Sequence, residues 1–313
     1  MSKWLIKTAV QRVVSWLPQS HKWNELLQKH VTKGLDLSSR DFESKLKCCR
    51  THLQSYREIS TASKDHFTVL ELGTGWFPIV PLGLYLCGAS EIWTYDLVPL
   101  LRKYTFKRML YLFCQYDQKG TLKEFLPDVR SDRVANLQNL LEKSDHKTPE
   151  RLLEGLNIHP IIGDARHTEL AIKSIDLVCS TVVFEHVPSE VLTGLFKEFQ
   201  RVSSYHAVMS HYIGMADQFA NFDSSITGFN FLKFSDSAWR WLNNPMIPLT
   251  RLRIADYRKL VVDAGYTIIK EDNTCGAIED LKKIKLAPRF RNHSQEDLLV
   301  LFSWIVARRN PAS

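Results

Sequence analysis

Seven short apolar runs recur from residue 67 onward, and the segments between the first five show mostly helical apolar spacing. Short apolar runs are typical of strands buried on both faces of a parallel sheet. Strands that alternate with helices form βαβ crossovers, so this pattern predicts a sheet with helices on both faces. The runs are Phe67–Leu72, Glu91–Tyr95, His159–Ile162, Ile175–Ser180, Tyr205–Ser210, Tyr266–Lys270 and Leu298–Ala307.

No clear helix separates the last two runs, which predicts an antiparallel pair at one edge of the sheet. We therefore expect an α/β fold with a doubly wound, mostly parallel seven-stranded sheet. Residues 1–65 are predicted to form an N-terminal helical cap on a main domain of residues 66–313. About 60 residues separate the second and third runs, far more than a crossover needs, so a helical insertion is expected over about 100–157.

Helical spacing within that insertion is found at Arg102–Tyr116 and Ser131–Lys143, and Thr148 followed by Pro149 is typical of a helix start. We expect these helices to form a lid or a flank at the strand ends. In the cap, Ser39–Tyr56 is predicted to be helical. Residues 2–17 form an amphipathic helical pattern that suits packing on the main domain or peripheral contact with a membrane.

Composition excludes disordered and low-complexity classes, because 44% of the 313 residues are hydrophobic and only 13 are Gly and 12 Pro. The formal charge of +7 permits an acidic partner without identifying one. Six cysteines without a C-x-x-C pair indicate reduced thiols in a cytoplasmic protein. No apolar run approaches 18 residues, so neither a secretory signal nor a membrane span is expected.

A glycine turn, Gly73-Thr74-Gly75, follows the first run, and Asp96 ends the second. Glycines at this position allow the backbone to approach a ligand closely, and an acid at the next strand end suits a ribose diol. The pattern therefore predicts a nucleoside site. A dinucleotide-binding turn prefers a third glycine, which is missing here.

The segment Glu71-Leu72-Gly73-Thr74-Gly75 resembles the acid-x-G-x-G motif of class I S-adenosylmethionine-dependent methyltransferases, with Phe77 where a further glycine often stands. Further segments continue the resemblance in order to about residue 308, which implies a Rossmann-like fold and S-adenosyl-L-methionine as cofactor. It implies that Asp96 holds the ribose hydroxyls, Asp164 accepts from the adenine amino group and Ala165 packs beside it. The implied cofactor-binding residues are Glu71, Gly73, Thr74, Gly75, Asp96, Leu97, Asp164, Ala165 and Ser180.

Methyl transfer from a sulfonium is an in-line displacement, for which positioning is the main requirement. A hydroxyl acceptor needs a base, and the expected candidates near the strand ends are His186, His211 and Asp217. An amine acceptor needs only water. Some metal-dependent members of the class carry an E-x-x-E-H run, but Val182 replaces its first glutamate, so we expect no metal.

Residues 211–253 are rich in aromatic side chains that suit either an apolar acceptor pocket or a core beneath a cap. Arg251 and Arg253 suit an acidic group of the substrate or a solvated surface pair. A nucleic acid acceptor is disfavoured, because no compact basic tract and no N-P-P-[YF] motif is present.

We therefore predict a methyltransferase that acts on a small molecule, such as a saccharide, a lipid-linked compound or a natural product. The alternatives are a cofactor-binding interaction protein without catalysis and an NAD-dependent oxidoreductase. The sequence leaves the acceptor, the methylated atom and the oligomeric state open.

Overall fold

The computed structural model describes Trp4, Thr8 and residues 36–62, 64–243 and 248–310. Seven strands form one sheet in the order β3-β2-β1-β4-β5-β7-β6. The first five are parallel, whereas β7 runs antiparallel to both β5 and β6. The strands are β1 Thr68–Leu72, β2 Glu91–Asp96, β3 Ile158–Ile162, β4 Ile175–Thr181, β5 Ser203–Gly214, β6 Tyr266–Cys275 and β7 Val300–Arg309.

All seven predicted strands are present, and the antiparallel pair at one edge is confirmed. The chain reverses its direction across the sheet between β1 and β4, and ligands of open α/β sheets bind at such a switch point. The fold class is therefore confirmed as a doubly wound, Rossmann-like α/β sheet.

Helices cover both faces of the sheet. Those with bounds in the described ranges are α1 Ser39–Ile59, α2 Ile79–Leu86, α3 Lys103–Gln118, α4 Leu122–Phe125, α5 Ser131–Lys143, α6 Pro149–Glu154, α7 Ser189–Val202, α8 Asp236–Leu242, α9 Ile254–Asp263, α10 Ile278–Lys282 and α11 Gln295–Leu299. Short 3-10 turns lie at Phe184–His186, Gln218–Asn221, Asn230–Lys233 and Pro288–Phe290.

The first face of the sheet is covered by α1, α2 and the helices between β2 and β3. Ser38 caps α1 by accepting from the Asp41 amide at 3.1 Å, and apolar residues at helical spacing then bury one side of the helix. Phe42 packs edge-on against Phe113 of α3 at 4.9 Å, so the predicted insertion joins the core as a flank. The start of α6 is as predicted, with Thr148 as its cap and Pro149 as its first residue.

The opposite face is covered by α7 and α9. Leu192, Phe196 and Phe199 of α7 and Tyr257 of α9 pack on the sheet there. The apolar side of α7 therefore packs on the sheet, which fixes the position of the chain that follows β4.

The aromatic segment after β5 forms a third cluster, in which Phe219, Phe229 and Phe231 are buried. Trp4 is also buried in this cluster, and its ring lies 5.8 Å from that of Phe219. Of the two predictions for this segment, the core is therefore correct for these aromatic rings, and they do not line an open pocket. Trp4 packs on protein, and the remainder of the predicted helix over 2–17, except Thr8, lies outside the described residues.

All six cysteines are free thiols, and only Cys275 is exposed. Within the portion of the chain with described structure, no helix combines the length and apolar character needed to span a bilayer.

Candidate functional site

The glycine turn lies at the carboxyl end of β1, beside the switch point. Gly73 and Gly75 have φ angles of +75° and +73°, a region that favours glycine. A Cβ on Gly73 would lie 2.5 Å from Cγ2 of Val183, whereas a Cβ on Gly75 would have no neighbour within 4 Å. The backbone at Gly73 is therefore packed closely against the turn after β4, and Gly75 borders open space.

Glu71 and Thr74 stabilise the turn from beneath. The Thr74 hydroxyl donates to Glu71 Oε2 at 2.5 Å, and the Glu71 side chain is otherwise buried. Burial raises the pKa of Glu71 to about 7, and the hydrogen bond from Thr74 opposes this rise. The carboxyl of Glu71 thus supports the turn rather than projecting into solvent.

Asp96 ends β2 and faces the same turn. The Gly75 amide donates to its carboxylate over a long distance of 3.3 Å, and burial raises the pKa of Asp96 to about 6. Leu97 next to it is 78% exposed, so an apolar side chain is left uncovered beside the carboxylate. An open cleft of about 450 Å³, counting the solvent space at its mouth, is lined by Thr74, Asp96 and Leu153 of α6, among others.

Asp164 lies beyond the end of β3 and is paired with Arg166. The Arg166 guanidinium donates to both carboxylate oxygens, from Nε to Oδ1 at 3.0 Å and from Nη2 to Oδ2 at 2.5 Å, and holds the pKa of Asp164 at about 2. Ala165 is buried. The structure therefore provides Asp164 with a cationic partner that the sequence interpretation did not include.

Ser180 and His211 lie in the interior rather than at the crevice. The Ser180 hydroxyl is 2.9 Å from Nδ1 of His211, and both side chains are buried. The His211 ring packs against Phe184 and Phe199, and burial lowers its pKa to about 3. The contact between Ser180 and His211 therefore holds both side chains in the interior.

Asp217 caps the 3-10 turn that follows it. Its carboxylate accepts from the Phe219 amide at 2.9 Å and from Asn230 Nδ2 at 3.0 Å, and it is buried. Such an arrangement is a structural cap. Asp217 is a predicted base, but its contacts instead anchor the aromatic segment.

The expectations for Arg251 and Arg253 are also wrong, because both guanidinium groups are buried and bind main-chain carbonyls. Arg251 donates to Phe231 O at 2.9 Å and pairs with Asp236 at 2.6 Å. Arg253 donates to Leu298 O at 2.9 Å and also to the carbonyls of Met215 and Val300. These arginines link chain segments and form neither a surface pair nor a substrate anchor.

His186 lies in the 3-10 turn after β4. Its Nδ1 is 3.0 Å from the Pro248 carbonyl, so Nδ1 carries the proton and donates. Nε2 then accepts from Gln218 Nε2 at 3.4 Å. Burial lowers the pKa of His186, and the Pro248 carbonyl opposes this effect. The ring is thus neutral near pH 7 and held by contacts to two other segments.

Glu185 is a residue that the sequence interpretation considered only as part of a metal motif. It is 4% exposed, and neither carboxyl oxygen makes a hydrogen bond of normal geometry in the described structure, although the amides of Gly214 and Glu185 itself face the carboxyl. Burial raises its pKa to about 8. The sequence signal was an acid just after the fourth strand, but its burial depends on Gly214 and Tyr257, which are distant in the chain. As far as the structure is described, no group of three or more His, Cys, Asp or Glu side chains is placed to hold a metal ion.

No protein-family model and no curated protein matches this chain. Among solved structures, it is similar to a protein of Pyrococcus horikoshii OT3 at 14% identity and a TM-score of 0.48, covering 87% of this chain and 93% of that one. It is similar to a candidate sarcosine dimethylglycine methyltransferase from Galdieria sulphuraria at 13% identity and a TM-score of 0.46, covering 84% of each chain.

A third similar structure is geranyl diphosphate C-methyltransferase from Streptomyces coelicolor A3(2), in complex with Mg²⁺, geranyl diphosphate and S-adenosyl-L-homocysteine. The identity is 11% and the TM-score 0.45, with 83% of this chain and 79% of that chain covered. At such identities and TM-scores, these likenesses do not assign an activity.

Proposed function

We propose that this chain is an S-adenosylmethionine-dependent methyltransferase with a small-molecule acceptor. The observation that carries the proposal is the pair of left-handed glycines that face the Asp96 carboxylate at the carboxyl ends of β1 and β2. This is the switch-point position where open α/β sheets bind nucleosides.

The residues present fit an adenosine group. The Asp96 carboxylate offers acceptor positions for the two ribose hydroxyls, since the Gly75 amide lies 3.3 to 3.4 Å from its two oxygens and leaves lone pairs free. The open space at Gly75 allows a ligand to approach the backbone, and exposed Leu97 offers an apolar surface to a purine ring. Asp164, in its pair with Arg166, is the proposed partner of the adenine amino group.

When bound, S-adenosylmethionine supplies an electrophilic methyl carbon. The chain then has to hold the acceptor in line with that carbon and exclude water. The turn after β4 borders the glycine turn through Val183, so the acceptor is proposed to bind between this turn and α1. A site enclosed by these two elements would favour a small molecule over a nucleic acid duplex.

Calorimetric titration with S-adenosylmethionine, S-adenosylhomocysteine and NAD tests the proposal. We expect micromolar binding of the first two and none of NAD. Asp96→Ala should weaken that binding by about 1 to 3 kcal/mol through loss of hydrogen bonds to the ribose. Asp272→Ala, on the edge strand β6, is the matched control. Binding of NAD alone would instead support an oxidoreductase, and binding of none of the three would contradict the cofactor assignment.

A further inference from the structure

The carboxyl group of Glu185 is energetically anomalous in this fold. Both of its oxygens are buried and neither makes a hydrogen bond of normal geometry, although the amides of Gly214 and of Glu185 itself face the carboxyl and lower its pKa. Buried polar groups in native proteins are nearly always well hydrogen-bonded. A Cβ on Gly214 would lie 2.6 Å from Glu185 Oε1, so a glycine at the end of β5 leaves the space that the carboxyl fills. A buried carboxyl with such weak hydrogen bonding, in a space left by a glycine, needs an explanation other than stability.

The turn that carries Glu185 is also strained. Val182 has a φ of +57°, a conformation that is an outlier for a β-branched residue. Its amide donates to the Tyr212 carbonyl at 2.7 Å, which fixes this conformation. Strained backbone of this kind is concentrated at functional sites. Two independent free-energy costs, the buried carboxyl of Glu185 and the strained backbone of Val182, therefore lie within four residues of each other, beside the proposed cofactor turn.

Lys45 of α1 supplies a positive charge near the turn that carries Glu185. His52 of α1 is 3.1 Å from the hydroxyl of Thr181, the last residue of β4, and Ser60 after the helix donates to the carbonyl of His206 early in β5. The helix thus runs opposite to the parallel strands. Lys45 lies two turns before His52 on the same side, about 10 Å further along the axis and beyond the strand ends.

The charge of Lys45 acts on the carboxyls of both Glu71 and Glu185 and lowers the pKa of each. Tyr212 from β5 and Tyr257 from α9 are the other titratable groups that face Glu185, and burial raises the pKa of both phenols, so they are neutral. The only charged side chain among these neighbours is therefore a cation. Such surroundings disfavour an ammonium acceptor and suit a neutral hydroxyl.

Building on the proposed function, we propose that the acceptor is a hydroxyl compound and that Glu185 is the base that takes its proton. The acceptor oxygen forms a bond to the methyl carbon as the carbon–sulfur bond breaks, and the electron pair of that bond stays on sulfur. The positive charge of the bound sulfonium favours the ionised form of Glu185, and the hydroxyl proton passes to this carboxylate and is later released to water. The products are a methyl ether, S-adenosylhomocysteine and one proton, so the step balances without a metal or a redox partner.

The test is a titration of the Glu185 carboxyl by carbon NMR in protein labelled at glutamate side chains. The resonance is assigned by its absence in both Glu185→Gln and Glu185→Asp, so assignment does not depend on one variant folding. The protein is titrated with S-adenosylhomocysteine and with sinefungin, whose ammonium group stands where the sulfonium would be. If Glu185 faces the transferred methyl, the added charge should lower its titration midpoint by about one pH unit or more.

Lys45→Met should raise the midpoint, whereas Lys47→Met should not, because Lys47 is exposed on α1 and lies over the ring of Phe125. If both ligands bind and the titration midpoint of Glu185 is the same in the two complexes, this inference is overturned, whereas the proposed function is not. Absence of binding by either ligand would overturn the proposed function and this inference with it.

Discussion

Replacement of Glu185 by glutamine should stabilise the protein, and the gain should grow with pH. Burial raises the pKa of Glu185 from 4.5 to about 8, so the folded chain holds the proton more tightly than the unfolded chain. The free energy of unfolding is therefore highest below the unfolded pKa and falls as the pH rises through the folded pKa. Glutamine has the same shape and no ionisation, so it removes this loss.

The magnitude follows from linkage between the two pKa values. Using 4.5 for the unfolded chain and about 8 for the folded one, the gain is about 1 kcal/mol at pH 5, about 3 kcal/mol at pH 7 and about 5 kcal/mol at pH 9. The free-energy cost of burying the glutamine amide is similar to that of burying the protonated carboxyl, so the two costs largely cancel when the variant is compared with the wild type. A single substitution that adds this much stability is unusual, because most substitutions destabilise.

Urea denaturation of the wild type and of Glu185→Gln at pH 5, 7 and 9 measures the gain. Glu198→Gln is the control of opposite sign. Arg201 holds the pKa of Glu198 at about 2, so its loss should destabilise the protein at pH 7 and have little effect below pH 2. A gain for Glu185→Gln that does not change between pH 5 and 9 would refute the reasoning, since it would show that Glu185 does not titrate in this range.

Four further outcomes are expected. Because burial raises the pKa of Asp96 to about 6 and ribose hydroxyls donate to the ionised form, affinity for S-adenosylhomocysteine should rise from pH 5 to pH 7 by calorimetry, and Asp96→Asn should abolish the trend. Gly73→Ala should destabilise the fold by about 1 to 3 kcal/mol, because the new Cβ meets Val183 at a positive φ; an unchanged melting temperature would contradict the tight contact. Arg253→Met should lower the melting temperature, as its three carbonyl partners lose about 1 to 3 kcal/mol each; a loss below about 1 kcal/mol in total would contradict its structural role. His186→Asn should leave affinity for S-adenosylhomocysteine within about twofold and lower stability by about 1 kcal/mol, because the ring donates to Pro248; a large loss of affinity would place it at the cofactor.

The number and positions of the strands and the place of the glycine turn could be predicted from the sequence because they depend on local patterns. Buried strands appear as short apolar runs, and the length between the second and third runs required an insertion. The turn at Gly73 likewise depends on residue type, since its positive φ favours glycine. Local signals of this kind are visible in one chain without any partner.

The acceptor side could not be predicted in the same way, because the role of a polar residue depends on what other segments place around it. His211 and Asp217 have suitable chemistry, yet packing from α7 and from Asn230 commits them to structural contacts. Arg251 and Arg253 have the residue type of an anion site, but the fold directs both toward main-chain carbonyls. Side-chain chemistry alone therefore gave too many candidate bases.

The sequence by itself determined the strands, the glycine turn and the position of Asp96 at the end of β2, because each is encoded by periodicity or by conformational preference within a few residues. Only the tertiary structure decided that Glu185 is enclosed between Gly214 and Tyr257, with the charge of Lys45 acting on it. The physical reason is that a pKa depends on desolvation and on nearby charges, and both are properties of the packed chain.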